Sequence, residues 1–345
     1  MNLFLRADAS IAIGTGHVMR CLALAQAWQD AGGRAVFAMS EATPAIQARL
    51  TAESCEVVSI SHAAGTADDA SQTIALARER AAAWIVVDGY QFTADYQQAL
   101  KAAGFKVLFL DDYGSARHYF ADLVLNQNVH ANEEMYGARE SYTRLLLGPR
   151  YCLLRREFTS WRGWKRKIVP IGRKVLVTMG GSDPGNLTAK VIEALRPRPD
   201  MLPDLEVTVV VGGSNPHFES LQRSASQGGG RFRLLKSVAN MPELMAQADL
   251  AVAGAGTTCW EMCLLQLPLI LIDLADNQKP IAHALAALGA AVHLGTAGTV
   301  TEQQIAKRVT SLLASEAERA ALSQLCGKLV DGRGTERVFG ELTRG

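Results

Sequence analysis

Short apolar bursts alternate with amphipathic stretches along the chain, and this rhythm restricts the fold more than any single motif. Residues 3–5, 35–39, 57–60, 84–87, 106–110 and 123–125 are brief runs, several rich in β-branched residues, of the kind buried on both faces of a parallel sheet. Between them, residues 18–31, 44–52, 67–82 and 93–103 carry helical patterns. Gly32-Gly33 and Gly104 stand where helix C-caps fall. Strand and helix in strict alternation predict a doubly wound sheet.

Residues 148–172 break the rhythm. They are dense in Arg and Lys, hold Tyr151, Trp161 and Trp164, and contain Pro149 and Pro170. The alternation then restarts, with strands expected at 174–179, 206–211, 232–235, 250–253 and 269–271 and helices at 186–195, 216–226, 241–246 and 258–265. The length of 345 residues accommodates two domains at about 150 residues each. The expected organisation is α/β: two Rossmann-like doubly wound domains, 1–150 and 173–345, joined by a linker at 151–172 and facing each other across a ligand-holding cleft.

Composition narrows the functional classes. The 35 Lys+Arg against 34 Asp+Glu give a formal net charge of +1, which offers no electrostatic reason to expect nucleic acid or a membrane surface as partner. No apolar run reaches the roughly 18 residues a membrane span needs, and Arg6 and Asp8 interrupt the N-terminal apolar start before a signal peptide could form. A cytoplasmic protein with no obligate protein partner is expected. Six scattered cysteines read as small buried hydrophobes in a reducing compartment. Seven histidines without a metal-binding cluster predict no protein-held metal, and no cofactor is expected. His62, His118, His130, His217, His283 and His293 are read as structural, and Lys165-Arg166-Lys167 as a solvated linker face.

Three constellations carry chemistry. In the first, Arg6-Ala7-Asp8 ends a strand and Gly14-Thr15-Gly16-His17-Val18-Met19-Arg20 opens a helix. Small residues admit a ligand close to the backbone, and the helix start favours negative charge. Met19 replaces the third glycine of a dinucleotide fingerprint, and no P-loop lysine follows. His17 is either a neutral general base or a helix cap. Arg20 is either a phosphate ligand or a solvated charge, and Asp8 either orients His17 or merely ends the strand.

The second constellation places Asp88-Gly89-Tyr90, Asp111-Asp112 and Asn126-Gln127-Asn128 at the carboxyl ends of strands, where open α/β sheets hold ligands. Three polar clusters on one rim suit a polyhydroxylated or amide-bearing substrate. In the third, Met179-Gly180-Gly181-Ser182-Asp183-Pro184 predicts a glycine turn and a helix cap with Pro near the first helical position. Gly254-Ala255-Gly256-Thr257-Thr258 leads into a helix carrying Glu261, a pattern that suits a pyrophosphate cradle with a carboxylate for the ribose hydroxyls. Asn277 lies in the polar run after the next strand.

Four of these segments, residues 6–21, 147–155, 180–183 and 254–261, together resemble the family of UDP-2,4-diacetamido-2,4,6-trideoxy-β-L-altropyranose hydrolases. These are enzymes of pseudaminic acid biosynthesis, a route to flagellin and surface glycans, related to the GT-B glycosyltransferase that makes lipid II. The likeness runs nearly end to end and includes Val330-Asp331-Gly332-Arg333-Gly334. The resemblance implies a GT-B-like fold and a metal-independent hydrolase that releases UDP from the anomeric carbon with inversion. It implies that His17 activates water, that Glu261 binds the ribose, and that Asn277 and Arg155 contact the substrate.

On the combined reading, Asp8, Gly14, Gly16, Arg20, Asp88, Tyr90, Asp112, Asn128, Arg155 and Asn277 meet the sugar. Gly180, Gly181, Gly254, Gly256, Thr257, Thr258 and Glu261 hold UDP. The alternatives are a GT-B glycosyltransferase using a UDP-amino sugar, or a non-catalytic nucleotide-sugar binding protein.

Overall fold

In the computed structural model, which describes residues 1–199 and 201–344, the apolar bursts form two parallel sheets in two Rossmann-like units. The first unit comprises Met1–Arg156 and the segment from Gly332 onward; the second is Glu157–Asp331.

The first unit runs β1 (Asn2–Ala7), α1 (Gly16–Asp30), β2 (Arg34–Met39), α2 (Pro44–Ala52), β3 (Glu56–Ser59), α3 (Ala67–Glu79), β4 (Ala82–Asp88), α4 (Ala94–Ala102), β5 (Lys106–Leu110), β6 (Leu123–Asn126) and β7 (Arg144–Leu147). Its seven strands lie in the order β3-β2-β1-β4-β5-β6-β7. The pleat sorts β1 onto two faces. Leu3, Leu5 and Ala7 join one core layer with Val18 and Leu22 of α1, while Phe4 joins the other with Ala70 and Ala77 of α3.

Arg6 shares the Phe4 face, where a cation needs partners. Its guanidinium donates to both carboxylate oxygens of Asp69 on α3, each at 3.0 Å, and to Asp8 Oδ1 at 2.7 Å. Asp8 also accepts from the Ser40 backbone N–H at 2.7 Å and the Ser40 hydroxyl at 3.0 Å.

The second unit runs β8 (Lys174–Thr178), α5 (Leu187–Ala194), β9 (Glu206–Val211), α6 (Phe218–Ser226), β10 (Phe232–Lys236), α7 (Met241–Gln247), β11 (Leu250–Gly254), α8 (Thr258–Leu264), β12 (Leu269–Asp273), α9 (Lys279–Ala287), β13 (Val292–Thr296), α10 (Glu302–Ala314) and α11 (Glu316–Leu329). Its six strands lie in the order β10-β9-β8-β11-β12-β13. The core gathers Val175, Val177, Val207, Val209, Val252 and Ile270 from the sheet under helices α5 and α10. The six cysteines are buried free thiols.

Two boundaries differ from the expectation. The final helix α12 (Gly334–Thr343) packs on the first unit, although the sequence reading placed everything after residue 173 in the second. Its apolar face supplies the reason. Val338 and Leu342 are buried in the first unit's core, Phe339 meets the Trp28 ring edge-on at 5.8 Å, and Trp84 Nε1 donates to the Leu342 carbonyl at 2.8 Å.

The stretch read as a linker divides at Arg156, and within its basic run Lys165 and Lys167 are exposed as expected while Arg166 turns inward. The Arg166 guanidinium, pulled down to about 10 by burial, donates to the carbonyls of Met245 at 2.7 Å and Leu265 at 3.1 Å, at the ends of α7 and α8. An arginine fork satisfies several orphan helix-end carbonyls at once. No helix among the described residues is long and apolar enough to cross a membrane.

Candidate functional site

In an open parallel sheet a crevice forms where the strand order reverses, because the loops leaving the two central strands run to opposite faces. In the first sheet that point lies between β1 and β4, and in the second between β8 and β11. Sequence-expected site residues stand at both.

In the first unit, the loop after β1 closes through a hydrogen bond from Gly14 N to Ser10 O at 2.8 Å. Gly14 takes a φ of 81°, a left-handed conformation that glycine adopts freely. Gly16 opens α1 and His17 sits in its first turn. β4 ends on Asp88, which is fully buried. The two strands are neighbours, so His17 and Asp88 meet although 71 residues separate them, with Nδ1 to Oδ1 at 2.6 Å. An ionised carboxylate only accepts, so a ring proton lies on Nδ1, which leaves Nε2 as the lone-pair nitrogen of the neutral form. Nε2 makes no hydrogen bond to any described residue, and the side chain keeps 9% exposure.

Helical spacing puts Arg20 and Cys21 on the His17 face. Arg20 grips Asp88 through Nε at 2.6 Å and Nη2 at 2.7 Å, and Asp112 through Nη1 at 2.8 Å and Nη2 at 3.1 Å. His17 Nδ1 and Arg20 Nη2 lie 3.4 Å apart because they share Asp88 Oδ1. Asp112 also accepts from Asn128 Nδ2 at 2.7 Å and from the Tyr90 hydroxyl at 3.0 Å. Tyr90 stands edge-on to the His17 ring at 4.8 Å and is 45% exposed.

These contacts set the ionisation. Burial disfavours charge on Asp88, but Arg20 and His17 outweigh it and hold the carboxyl well below its usual range. Asp112 is likewise held low by Arg20 against its burial. Burial and the Asp112 charge push the Tyr90 phenol up, so it stays a neutral donor.

Some expected roles change. Asp8 does not orient His17; it is 1% exposed and bound up with Arg6, Ser40, the Glu41 N–H and Gln91. Asp88 takes that position instead. Arg20 is no solvated charge and is not poised for a phosphate, because two buried carboxylates occupy its fork. Asp88, Asp112 and Asn128 form a buried layer supporting His17, so Tyr90 is the exposed member of the expected rim. Arg155 is half-buried in the last residues of the first unit.

In the second unit, Gly180 and Gly181 follow β8, with Gly180 at a φ of 80°. Gly212, after β9, lies so close beneath them that an added Cβ would come within 2.2 Å of the Gly181 carbonyl oxygen. Pro184 falls three residues before α5, not at its first position. The cap is the Asp183 carboxylate, which accepts from the backbone N–H groups of Leu187 and Thr188, each at 2.9 Å.

After β11 the turn tightens through Gly256 N to Gly254 O at 2.9 Å, and Thr257-Thr258 enters α8. Thr257 makes no side-chain cap, and Glu261 lies half-buried in the first turn. A residue beyond the expected set braces this loop: Gln278 Oε1 accepts from both Ala255 N and Leu274 N, each at 3.1 Å. Asn277 precedes it in the 3-10 turn Asp276–Gln278. The polar run after β12 is the sequence signal for Gln278, but its bond to Ala255 is a tertiary contact.

Two parallel-sheet Rossmann-like domains in one chain define the GT-B architecture. Residues 175–326 match the family model described as the glycosyltransferase family 28 C-terminal domain. Among solved structures, the crystal structure of MurG from Acinetobacter baumannii overlays with a TM-score of 0.66 at 16% identity, covering 99% of this chain and 98% of that one. The spore coat polysaccharide biosynthesis protein SpsG of Bacillus subtilis is 28% identical over 232 residues, 67% of this chain and 67% of that protein. The Campylobacter jejuni protein named UDP-2,4-diacetamido-2,4,6-trideoxy-beta-L-altropyranose hydrolase is 26% identical over 292 residues, 84% of this chain and 97% of that protein.

Proposed function

We propose that the chain is a cytoplasmic UDP-sugar hydrolase acting on UDP-2,4-diacetamido-2,4,6-trideoxy-β-L-altropyranose, with His17 as the general base. The observation that carries this reading is the 2.6 Å contact between His17 Nδ1 and Asp88, which fixes the tautomer with Nε2 ready to accept a proton. Water gives its proton to Nε2 as its oxygen attacks the anomeric carbon. The bond from that carbon to the β-phosphate oxygen breaks, and its electron pair leaves with UDP. Attack opposite the leaving group inverts the configuration.

Asp88 and Asp112 carry one negative charge each and Arg20 one positive, so the cluster is net −1 with His17 neutral and favours the imidazolium formed in this step. The leaving phosphate has a pKa of about 6 and needs little acid assistance. Gly180, Gly181, Gly254, Gly256, Thr257 and Thr258 offer backbone N–H groups and hydroxyls to the diphosphate, and Glu261 accepts from the ribose. Tyr90, Arg155, Asn277 and the open backbone at Gly14 and Gly16 contact the sugar. The named relative from C. jejuni, aligned over most of both chains, supports the choice of substrate.

Hydrolysis in 18O-labelled water is expected to place the label on the released sugar, read by mass spectrometry. Label in UDP would mean attack at phosphorus and would remove His17's assigned role. Gly212→Ala is expected to weaken UDP binding by at least about tenfold in a calorimetric titration, because the new methyl must displace the Gly181 backbone. Unchanged affinity would take the Gly180-Gly181 turn out of the UDP site.

The match to a glycosyltransferase domain favours a second reading, transfer of the same sugar to a hydroxyl acceptor in place of water. The substrate assay separates the two: release of free sugar at full rate without acceptor supports hydrolysis, and turnover that appears only with an added acceptor supports transfer.

A further inference from the structure

Asp273, His283 and His293 come together in the second unit from the end of β12, the middle of α9 and the start of β13. His293 Nε2 lies 2.8 Å from Asp273 Oδ2, and the His283 ring meets the His293 ring edge-on with centroids 4.8 Å apart. One donor atom from each residue falls within 4.8 Å of the other two. Asp273 is 2% exposed, and its second carboxylate oxygen, Oδ1, is buried without a hydrogen-bond partner. A buried carboxylate oxygen left unsatisfied carries its full desolvation penalty, which a cation would offset.

We propose that these three residues form a binding site for a divalent transition-metal ion of the zinc class. Two imidazoles and one carboxylate suit a borderline metal, whereas magnesium and calcium take all-oxygen sets. Bonds of about 2.0–2.2 Å put tetrahedral donors roughly 3.3–3.6 Å apart, so the 2.8 Å pair opens slightly and His283 swings inward to close the set. His283 is exposed on α9, and a rotamer change moves it without disturbing the core. Three protein ligands leave a fourth position for water.

The ion would tie α9 to two strands of the sheet. Leu274, next to Asp273, shares the Gln278 oxygen with Ala255, so the tie also steadies the brace of the 254–258 loop. This role is structural and independent of the proposed hydrolysis, which uses other residues. Local sequence concealed the set, because its members are ten residues apart on three different elements.

The test is calorimetric titration of Zn2+ into the untagged, chelator-treated full chain, with visible absorption of the Co2+ form as a second readout. One ion per chain is expected, with a thermal midpoint that rises with Zn2+ concentration. His283→Ala, an exposed substitution, is expected to weaken Zn2+ binding at least about tenfold and to abolish the Co2+ absorption, while the metal-free protein melts as before. His293→Gln is expected to do the same. Absence of saturable binding, or binding that survives both variants, would overturn the proposal and leave the three residues as a hydrogen-bonded pair with an edge-on neighbour.

Discussion

His17→Ala is expected to lower the rate of free sugar release by about 10² to 10⁴, the range that a positioned general base supplies. The loss should fall on kcat, because in the proposed step Nε2 takes a proton only as the water attacks. UDP affinity should stay within a few-fold of the parent, since His17 belongs to the first unit and the loops assigned to UDP to the second. Added imidazole should restore part of the rate by occupying the space the ring leaves. The measurements are steady-state turnover by NMR and UDP titration by calorimetry. Retention of turnover within about threefold of the parent would remove His17 from the mechanism.

Arg20→Leu is expected to destabilise the first unit by about 3–5 kcal/mol, the cost of stranding buried charge. Asp88 is fully buried and the Asp112 side chain is 9% exposed, and both would face each other without their shared cation. For a unit of this size the loss corresponds to a fall of roughly 6–20 °C in the thermal midpoint, read by calorimetry.

The pH dependence has a definite sign. In the parent both carboxyls are held below their ordinary values, so their contribution is complete above the unfolded pKa of about 4 and is lost as pH falls through the folded values. In the variant the cation that both carboxyls share is gone; His17, Asn128 and Tyr90 still donate to them, but burial shifts both upward and protonation relieves part of the penalty. The deficit relative to the parent should therefore be smaller at pH 5 than at pH 7. A deficit below about 1 kcal/mol at pH 7 would mean that the carboxylates find other partners or water.

The strands were legible because parallel strands buried on both faces read as unbroken apolar runs. Residues 35–39 and 106–110 became β2 and β5 with little change. β7 went unread, since Arg144–Leu147 is four residues long and lies apart from the periodic segments. Helix α3 was read three residues too long, because Arg80, Ala81 and Ala82 continue a helical pattern. Ala81 instead takes a φ of 47°, which ends the helix and lets β4 begin at Ala82.

The polar residues at strand ends were visible as candidates, but their order in space was not. Asp8 lies nine residues from His17 and looks like its partner in the sequence. The β1–β4 pairing brings Asp88 beneath the imidazole, while Ser40, Arg6 and Gln91 hold Asp8 elsewhere.

Two Rossmann-like domains, the glycine turns at their strand ends and the helix start that carries His17 are all legible in the residues alone. These follow from local periodicity and from the backbone freedom of a few small residues. That Asp88 meets the imidazole at Nδ1, that Arg20 holds two carboxylates, and that the last helix returns to the first unit follow from the folded chain. Parallel strands pair across crossovers of dozens of residues, so their neighbours are chosen by packing of the whole sheet and leave no trace in local spacing.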